Sequence, residues 1–126
     1  PELLLGCTEY DPKIDMWSVG CIMAEMFRRG GFLKGSNEAS QLDIIFRTCG
    51  HPTVEEWPNI HKTCPLWKNF EPPLGQALPS MLRQTLKQSV PHVSWMTDHA
   101  MDLMEKLLTH NPAKRWSARE SLSAEY

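Results

Sequence analysis

The chain has 126 residues, with 13 basic and 15 acidic side chains and a formal net charge of −2. This length fits one domain or part of one. The near balance of charge gives no field of the kind that binds nucleic acid or an anionic membrane. The apolar fraction of 41% lies at the low side of folded proteins and above that of disordered ones. We therefore expect a folded domain whose partners include neither nucleic acid nor a membrane.

The first five residues, PELLL, lack the basic region and the long apolar core of a secretion signal. The four cysteines, at positions 7, 21, 49 and 64, contain no Cys-x-x-Cys pair, which argues against a zinc ribbon or a thioredoxin-type site. Without a secretion signal, free thiols in a reducing compartment are expected. The five histidines show no His-x-x-x-His spacing, so no metal site is expected either.

An almost wholly apolar segment begins at Ile14 and ends at Phe27. Its only polar side chains are Asp15, Ser18 and Glu25. Because a surface helix would show one polar face, this composition predicts a helix that is buried on all sides. The segment is shorter than the roughly 20 apolar residues that cross a bilayer. We expect it to be the central helix of the domain.

The following segments read as helices separated by loops that contain proline and glycine. Ser36 is a good N-cap for a second helix, which Gly50 ends. One apolar stripe marks its buried face: Leu42, Ile45, Phe46 and Cys49. Thr53–Glu56 has the T-x-x-E form of a capping box and predicts one further helical turn.

Residues 58–79 hold many prolines and predict an ordered but irregular excursion. Residues 80–88 predict a short helix, and residues 97–110 a stronger one. Ser117–Glu120 is a second capping box and opens a last short helix. No segment alternates with the period of a strand, so the predicted fold class is all-α, with helices around the central buried helix and an irregular insert.

Three separated motifs carry a resemblance to a known family. Pro1-Glu2 matches the end of the A-P-E motif that closes an activation segment. Asp15–Gly20 (DMWSVG) matches a D-x-W-S-x-G pattern, and Asn111–Arg115 (NPAKR) matches a D-P-x-x-R pattern. With these motifs the chain resembles, over its whole length, the carboxy-terminal part of the large lobe of eukaryotic protein kinases. The resemblance implies a partial kinase domain over residues 1–126, with an insert at residues 51–96.

Shorter sequence motifs make the resemblance more specific. PELLLG, GCIMAEM and the Gly35 region with Gln41-Leu42 are typical of cyclin-dependent kinases. Cys49-Gly50 followed by Trp57-Pro58-Asn59 is similar to the transcription-associated members. The intact parent would then be a serine/threonine kinase that uses ATP and magnesium, prefers Ser or Thr before Pro, and works with a cyclin-like subunit. Its expected location is nuclear or cytoplasmic.

The resemblance also implies structural roles for five residues. Glu2 should pair with Arg115, as a carboxylate that accepts both arms of a guanidinium. Asp15 should accept backbone N–H groups of a catalytic loop, with a plain helix N-cap as the alternative. Trp17 and Gly20 should pack against the A-P-E segment.

The insert offers candidate docking residues. Trp57, Trp67 and Phe70 are the aromatic side chains that could hold a small docking protein, because aromatic residues dominate binding hot spots. Packing in the core is the alternative for each of them.

Phosphoryl transfer needs cradled phosphates, bound metal and a base near the acceptor hydroxyl. The chain has no G-x-G-x-x-G loop, no V-A-I-K lysine, no H-R-D loop and no D-F-G motif. We therefore expect no catalytic, cofactor-binding or metal-binding residue within it, no turnover by it alone, and a longer active parent. A non-catalytic protein-binding module or a degenerate kinase fragment is the alternative. Because the upstream half of the lobe would cover the central helix, the isolated chain should expose apolar surface.

Overall fold

A computed structural model describes residues 1–8, 10–28, 30–89 and 97–124. Within these ranges the elements are all helical: α1 (Lys13–Arg28), α2 (Glu38–Cys49), α3 (Ile60–Thr63), a 3-10 turn (Trp67–Asn69), α4 (Leu82–Ser89), α5 (Asp98–Leu107) and α6 (Ala118–Leu122). The described residues form no strand, and the all-α prediction is confirmed. Residues 90–96 of the insert lie outside them. None of the described helices is long and apolar enough to cross a membrane.

Helix α1 begins one residue earlier than its apolar run suggests. Asp11 Oδ1 accepts a hydrogen bond from the Lys13 amide at 2.9 Å and so satisfies one of the free donors of the first turn. The helix crosses α5 at Gly20, where an added Cβ would lie 3.0 Å from side-chain atoms of Leu107 and Leu108. The missing side chain at Gly20 is what allows this close approach.

Helix α1 is not buried on all sides in this chain, and the expectation that the chain exposes apolar surface is confirmed. Only Gly20 and Ala24 are buried, whereas Val19, Ile22 and Met26 are exposed by 45, 57 and 74%. A helix that is apolar all round requires neighbours all round, and α4 and α5, which pack against α1, leave these three side chains uncovered. The composition of α1 therefore shows that the helix needs neighbours on every side. It does not show which of these neighbours lie within this chain.

Helix α2 is capped by Asn37 rather than by Ser36. The Asn37 side chain accepts from the Ser40 amide at 2.9 Å, and the Ser40 hydroxyl accepts from the Asn37 amide at 3.0 Å. The expected apolar stripe is buried: Leu42, Ile45, Phe46 and Cys49. Gly50 ends the helix at a φ of +81°, where an added Cβ would lie only 2.7 Å from the Ser80 amide nitrogen.

The helices predicted at residues 80–88 and 97–110 are confirmed as α4 and α5. Their inward side chains are buried as expected: Leu82, Leu86, Ala100, Leu103, Met104, Leu107 and Leu108. Arg83 on α4 joins acidic residues of α5, with its Nε 2.6 Å from Glu105 Oε1 and its Nη2 paired with Asp102. These groups are largely exposed to solvent, so the pairs contribute little to stability.

The expectation that all four cysteines are free is wrong. Cys7 and Cys64 form a disulfide with their Cα atoms 4.2 Å apart, whereas Cys21 and Cys49 are free. The two partners are 57 residues apart in sequence. The turn after α3 brings them together, and residue spacing alone does not reveal this.

Candidate functional site, a buried pair between Glu2 and Arg115

The first residues of the chain form a tight turn that buries Glu2. The Leu5 amide donates to the Pro1 carbonyl at 3.0 Å, and the Cys7 amide donates to the Glu2 carbonyl at 3.0 Å. Leu5 and Glu2 are 0 and 2% exposed. The turn therefore fixes the Glu2 carboxylate inside the protein, where a charged partner is required.

A second turn places Arg115 opposite Glu2. Asn111 Oδ1 accepts from the Ala113 amide at 3.0 Å, and the Asn111 carbonyl accepts from the Arg115 amide at 3.0 Å. Asn111 stands where the D-P-x-x-R pattern has Asp. The side-chain nitrogen of Asn111, Nδ2, also donates to the Glu56 carbonyl at 3.0 Å, and an ionised Asp has no donor that could do so.

The guanidinium of Arg115 uses all five of its N–H donors. Two of them go to the Glu2 carboxylate: Nη1 to Oε2 at 2.8 Å and Nη2 to Oε1 at 3.0 Å. The others go to the carbonyls of Thr109, Lys13 and His110 at 2.8, 2.8 and 3.1 Å. One side chain thus joins the Glu2 turn, the start of α1 and the chain after α5. This is the pair that the motifs predict.

Aromatic rings close the space around this guanidinium. Arg115 Cζ lies 5.3 Å from the centre of the Trp17 ring, within range of a cation–π contact. The Trp17 ring stacks on His110 at a centroid distance of 6.0 Å, and Phe46 meets His110 edge-on at 6.1 Å. The pair is therefore screened from water by α1 and α2.

The surroundings keep Glu2 ionised. Burial by itself raises the pKa of Glu2. The hydrogen bonds and charge of Arg115, together with the positive charge of the Pro1 amino group, outweigh this effect and hold the pKa of Glu2 below its usual value. Glu2 is therefore a carboxylate at any physiological pH, as a bidentate partner of arginine must be.

The comparisons with known proteins agree with this geometry. The family model described as the protein kinase domain matches residues 1–126. The chain belongs to the protein kinase family. It is 45% identical over its full length to cyclin-dependent kinase C-1 of Oryza sativa subsp. japonica, of which it covers 22%. It is 41% identical to cyclin-dependent kinase 9-B of Xenopus laevis, of which it covers 31%.

Among solved structures, the chain is similar to one titled the crystal structure of the yeast RNA Pol II CTD kinase CTDK-1 complex. The TM-score is 0.84 at 32% identity, over 98% of this chain and 39% of that one. The chain therefore spans between a fifth and two fifths of these relatives. The resemblance to the large lobe of a cyclin-dependent-like kinase is confirmed.

The structure gives the surroundings of two other residues that the kinase motifs single out. Asp15 lies in the first turn of α1 with an exposed side chain, and Asp11 rather than Asp15 caps that helix. The backbone at Gly20 meets the end of α5, at Leu107 and Leu108, and its packing against the Glu2 turn stays a prediction. A catalytic-loop contact of Asp15 remains a prediction, since it requires residues beyond this chain.

The candidate docking aromatics of this kinase chain are mainly core residues. Trp57 and Trp67 are 5 and 2% exposed, and the Trp67 ring meets Phe46 edge-on at 5.9 Å. Phe70 is half-buried against the same cluster. Burial leaves little surface at Trp57 or Trp67 for a docking protein, so packing accounts for both residues.

The kinase family implies ATP and magnesium, and the described residues do not fit either. No group of three or more His, Cys, Asp or Glu side chains in the described ranges could hold a metal ion. The chain also lacks the glycine-rich loop that cradles phosphates. No step of phosphoryl transfer is therefore assigned to these residues.

Sequence reasoning missed His110, which is 3% exposed. Its Nε2 lies 2.7 Å from the Gly50 carbonyl, while its buried Nδ1 has no hydrogen-bond partner in the described structure. Burial lowers the pKa of His110 to about 4. The residue precedes the N-P-x-x-R motif directly, but the kinase pattern by itself gives no signal of this environment.

The exposed side of α1 lines an apolar groove of about 540 Å³. The groove lies between the three helices that supply its lining: Val19, Ile22, Met23, Met26 and Phe27 of α1, Leu103 and Leu107 of α5, and Ser121 and Leu122 of α6. A continuous apolar surface of this kind is uncommon on a soluble monomer and promotes association.

We expect the isolated chain to bind a hydrophobic dye and to self-associate, and the double variant Ile22→Gln/Met26→Gln to do both several-fold less. Light scattering and dye fluorescence at equal concentration measure the difference. Leu74→Gln is the matched control, because Leu74 is fully exposed and lies outside the groove. A monomeric wild type without dye binding would contradict this expectation.

Proposed function

We propose that this sequence forms the carboxy-terminal part of the catalytic domain of a cyclin-dependent serine/threonine kinase. The longer protein transfers the γ-phosphate of ATP, with magnesium, to Ser or Thr residues that precede Pro. The role of the present residues in that reaction is structural. They hold the end of the activation segment on the large lobe, and the catalytic groups come from the part of the domain that precedes Pro1 in the family.

The Glu2–Arg115 pair is the observation that carries this proposal. It joins positions 2 and 115, which are the A-P-E and D-P-x-x-R positions of the family, with both charges at most 2% exposed. Buried charges of this kind are retained only when they are fully paired, as all five donors of Arg115 are. A surface loop without this role would have no need of such an arrangement.

The relatives support the finer parts of the proposal. The similar proteins from Oryza and Xenopus are named cyclin-dependent kinases, and the similar yeast structure is named an RNA polymerase II CTD kinase complex. We therefore propose a cyclin-like subunit as partner, a transcription-associated role and a nuclear location for the longer protein. A small docking protein at the insert is not included, since Trp57 and Trp67 are buried.

The test begins with the transcript upstream of Pro1. The proposal expects an open reading frame that continues into a D-F-G motif and an H-R-D catalytic loop. The protein encoded by that frame, purified with its bound subunit, should phosphorylate a Ser-Pro peptide and not the matched Ala-Pro peptide. A second control replaces the metal-binding Asp of D-F-G by Asn, which should abolish turnover because magnesium is no longer held.

Two outcomes would overturn the proposal. One is an upstream frame without a catalytic Asp and a metal-binding Asp, which would favour a non-catalytic module. The other is a complete frame whose purified product, with its subunit, incorporates no phosphate above the Asp→Asn control.

A further inference from the structure

The Cys7–Cys64 disulfide joins the Glu2 turn to the corner that follows α3. Cys7 is the last residue of the turn held by the Glu2 carbonyl, and Cys64 is the C-cap of α3. On one side of the bond lies the segment that the proposed function treats as the end of the activation segment. On the other side lies the insert. The state of this bond therefore bears on how firmly the two parts are held together.

The contact between the two parts does not depend on the disulfide alone. The Leu66 amide donates to the Leu5 carbonyl at 3.1 Å. Gly6, at a φ of +76°, lies so close to Leu66 that an added Cβ would be 3.0 Å from its Cγ. These contacts keep the two sulfur atoms near each other when the bond is open. The disulfide can therefore form again with little further loss of chain entropy.

The reduced state has a suitable environment for one of the thiols. Thr63 Oγ1 lies 3.6 Å from Cys64 Sγ, within the range of a hydrogen bond to sulfur. The Thr63 hydroxyl donates its hydrogen to the Asn59 carbonyl at 2.8 Å and so remains an acceptor for a Cys64 S–H. Both the open and the closed state can thus be accommodated at Cys64.

A small molecule can reach the disulfide from one side. A cleft of about 380 Å³ lies beside Cys7, and its wall includes Tyr10, Asn59 and Thr63. Cys7 is 7% exposed and lines the cleft, whereas Cys64 is 1% exposed and does not. Cys7 is therefore the member of the pair that borders the cleft, which makes it the side of attack and Cys64 the leaving group.

The other two cysteines are unsuited to this chemistry. Burial raises the pKa of Cys21 to about 11 and that of Cys49 to about 12. Thiolate is the nucleophile in exchange, and almost none is present at these residues near neutral pH. Exchange is confined to Cys7 and Cys64.

We propose that Cys7 and Cys64 form a reversible thiol–disulfide exchange site for a small thiol of the glutathione class. The thiolate attacks Cys7 Sγ and forms a mixed disulfide there, and Cys64 leaves as a thiolate that takes a proton. A second thiolate attacks the glutathione sulfur of the mixed disulfide, which releases Cys7 as a thiol and oxidised glutathione. Two electrons pass to the protein, and the reverse sequence restores the bond. Disulfides of proteins in reducing compartments are usually of this transient kind.

Alkylation and peptide mapping test the site directly. The chain is incubated in buffers of reduced and oxidised glutathione, quenched with N-ethylmaleimide and digested with trypsin. We expect the peptide that ends at Lys13 to be linked to Thr63–Lys68 in oxidising buffer, and both to be alkylated in reducing buffer. Cys21→Ser is the matched control and should leave this pattern unchanged, whereas Cys64→Ser should leave glutathione on Cys7. Absence of the linked peptide in every buffer, or equal reaction at Cys21, would overturn the proposal.

Hydrogen exchange tests the consequence for the Glu2 turn. Reduction should speed exchange of the amides of residues 3–8 about tenfold in the wild type, because the constraint on the turn is lost. Cys64→Ser should exchange fast in both buffers. Identical exchange in the two states of the wild type would show that the bond does not hold the turn. Since neither readout depends on phosphoryl transfer, failure here is distinct from failure of the proposed function.

Discussion

Replacement of Arg115 by Lys is expected to unfold the chain or to leave it close to unfolding. Lysine is a point charge with three donors and cannot reproduce the two parallel bonds to Glu2 and the three bonds to backbone carbonyls. Breaking a buried pair costs about 3–5 kcal/mol, because it leaves a charge or carbonyls without partners. That is a large share of the roughly 5–15 kcal/mol of a whole domain. Glu2→Gln should have a comparable effect.

The measurement is urea unfolding followed by circular dichroism, in the Ile22→Gln/Met26→Gln background that limits association. The matched control is Asp43→Asn, which removes an exposed pair with Arg47 at 3.0 Å and should cost well under 1 kcal/mol. The Glu2→Gln/Arg115→Lys double variant should lose less than the sum of the two single losses, because the residues act as a unit. Additive losses below 1 kcal/mol each would show that the pair is not a structural anchor.

The sequence predicted those parts of the fold that depend on local chemistry or on a family motif. Ser117 caps α6 as its side chain indicates, and the box at Ser117–Glu120 forms in both directions. The Glu2–Arg115 pair was predictable because each member stands in its own motif, 113 residues apart. No feature of composition or period would have paired them.

The parts that sequence did not predict depend on contacts between distant segments. The apolar composition of α1 and the missing upstream half predicted exposed apolar surface, but not that Val19, Ile22 and Met26 are the residues that carry it. The Cys7–Cys64 bond depends on where the corner after α3 lies. The expectation of free thiols rested on the average for a reducing compartment, and such an average cannot decide a pair whose Cα atoms are 4.2 Å apart.

His110 is expected to make the stability of the chain depend on pH between 7 and 5. Desolvation lowers the pKa of this histidine from 6.5 to about 4, so the folded protein binds its proton only well below the pH at which the unfolded chain does. As the pH falls through 6.5, the unfolded state takes up the proton first and the free energy of unfolding falls. The loss should be about 2 kcal/mol at pH 5 and about 3 kcal/mol below both pKa values. The pKa of Glu2 is lowered from 4.5 in the folded chain, so its pair loses stability mainly below pH 5.

Urea unfolding of the Ile22→Gln/Met26→Gln variant at pH 7.5 and at pH 5 measures the effect. His110→Gln keeps a donor for the Gly50 carbonyl but does not titrate, so most of the difference between the two pH values should disappear. A dependence should remain from the Pro1 amino group and from His51, because burial lowers the pKa of each of them as well. The matched control is His61→Gln, since His61 is half exposed beside Glu71 and should leave the dependence of the wild type intact. If His110→Gln kept the full difference, the buried ring would be excluded as its source, and the cause would have to lie in other groups that take up protons on unfolding.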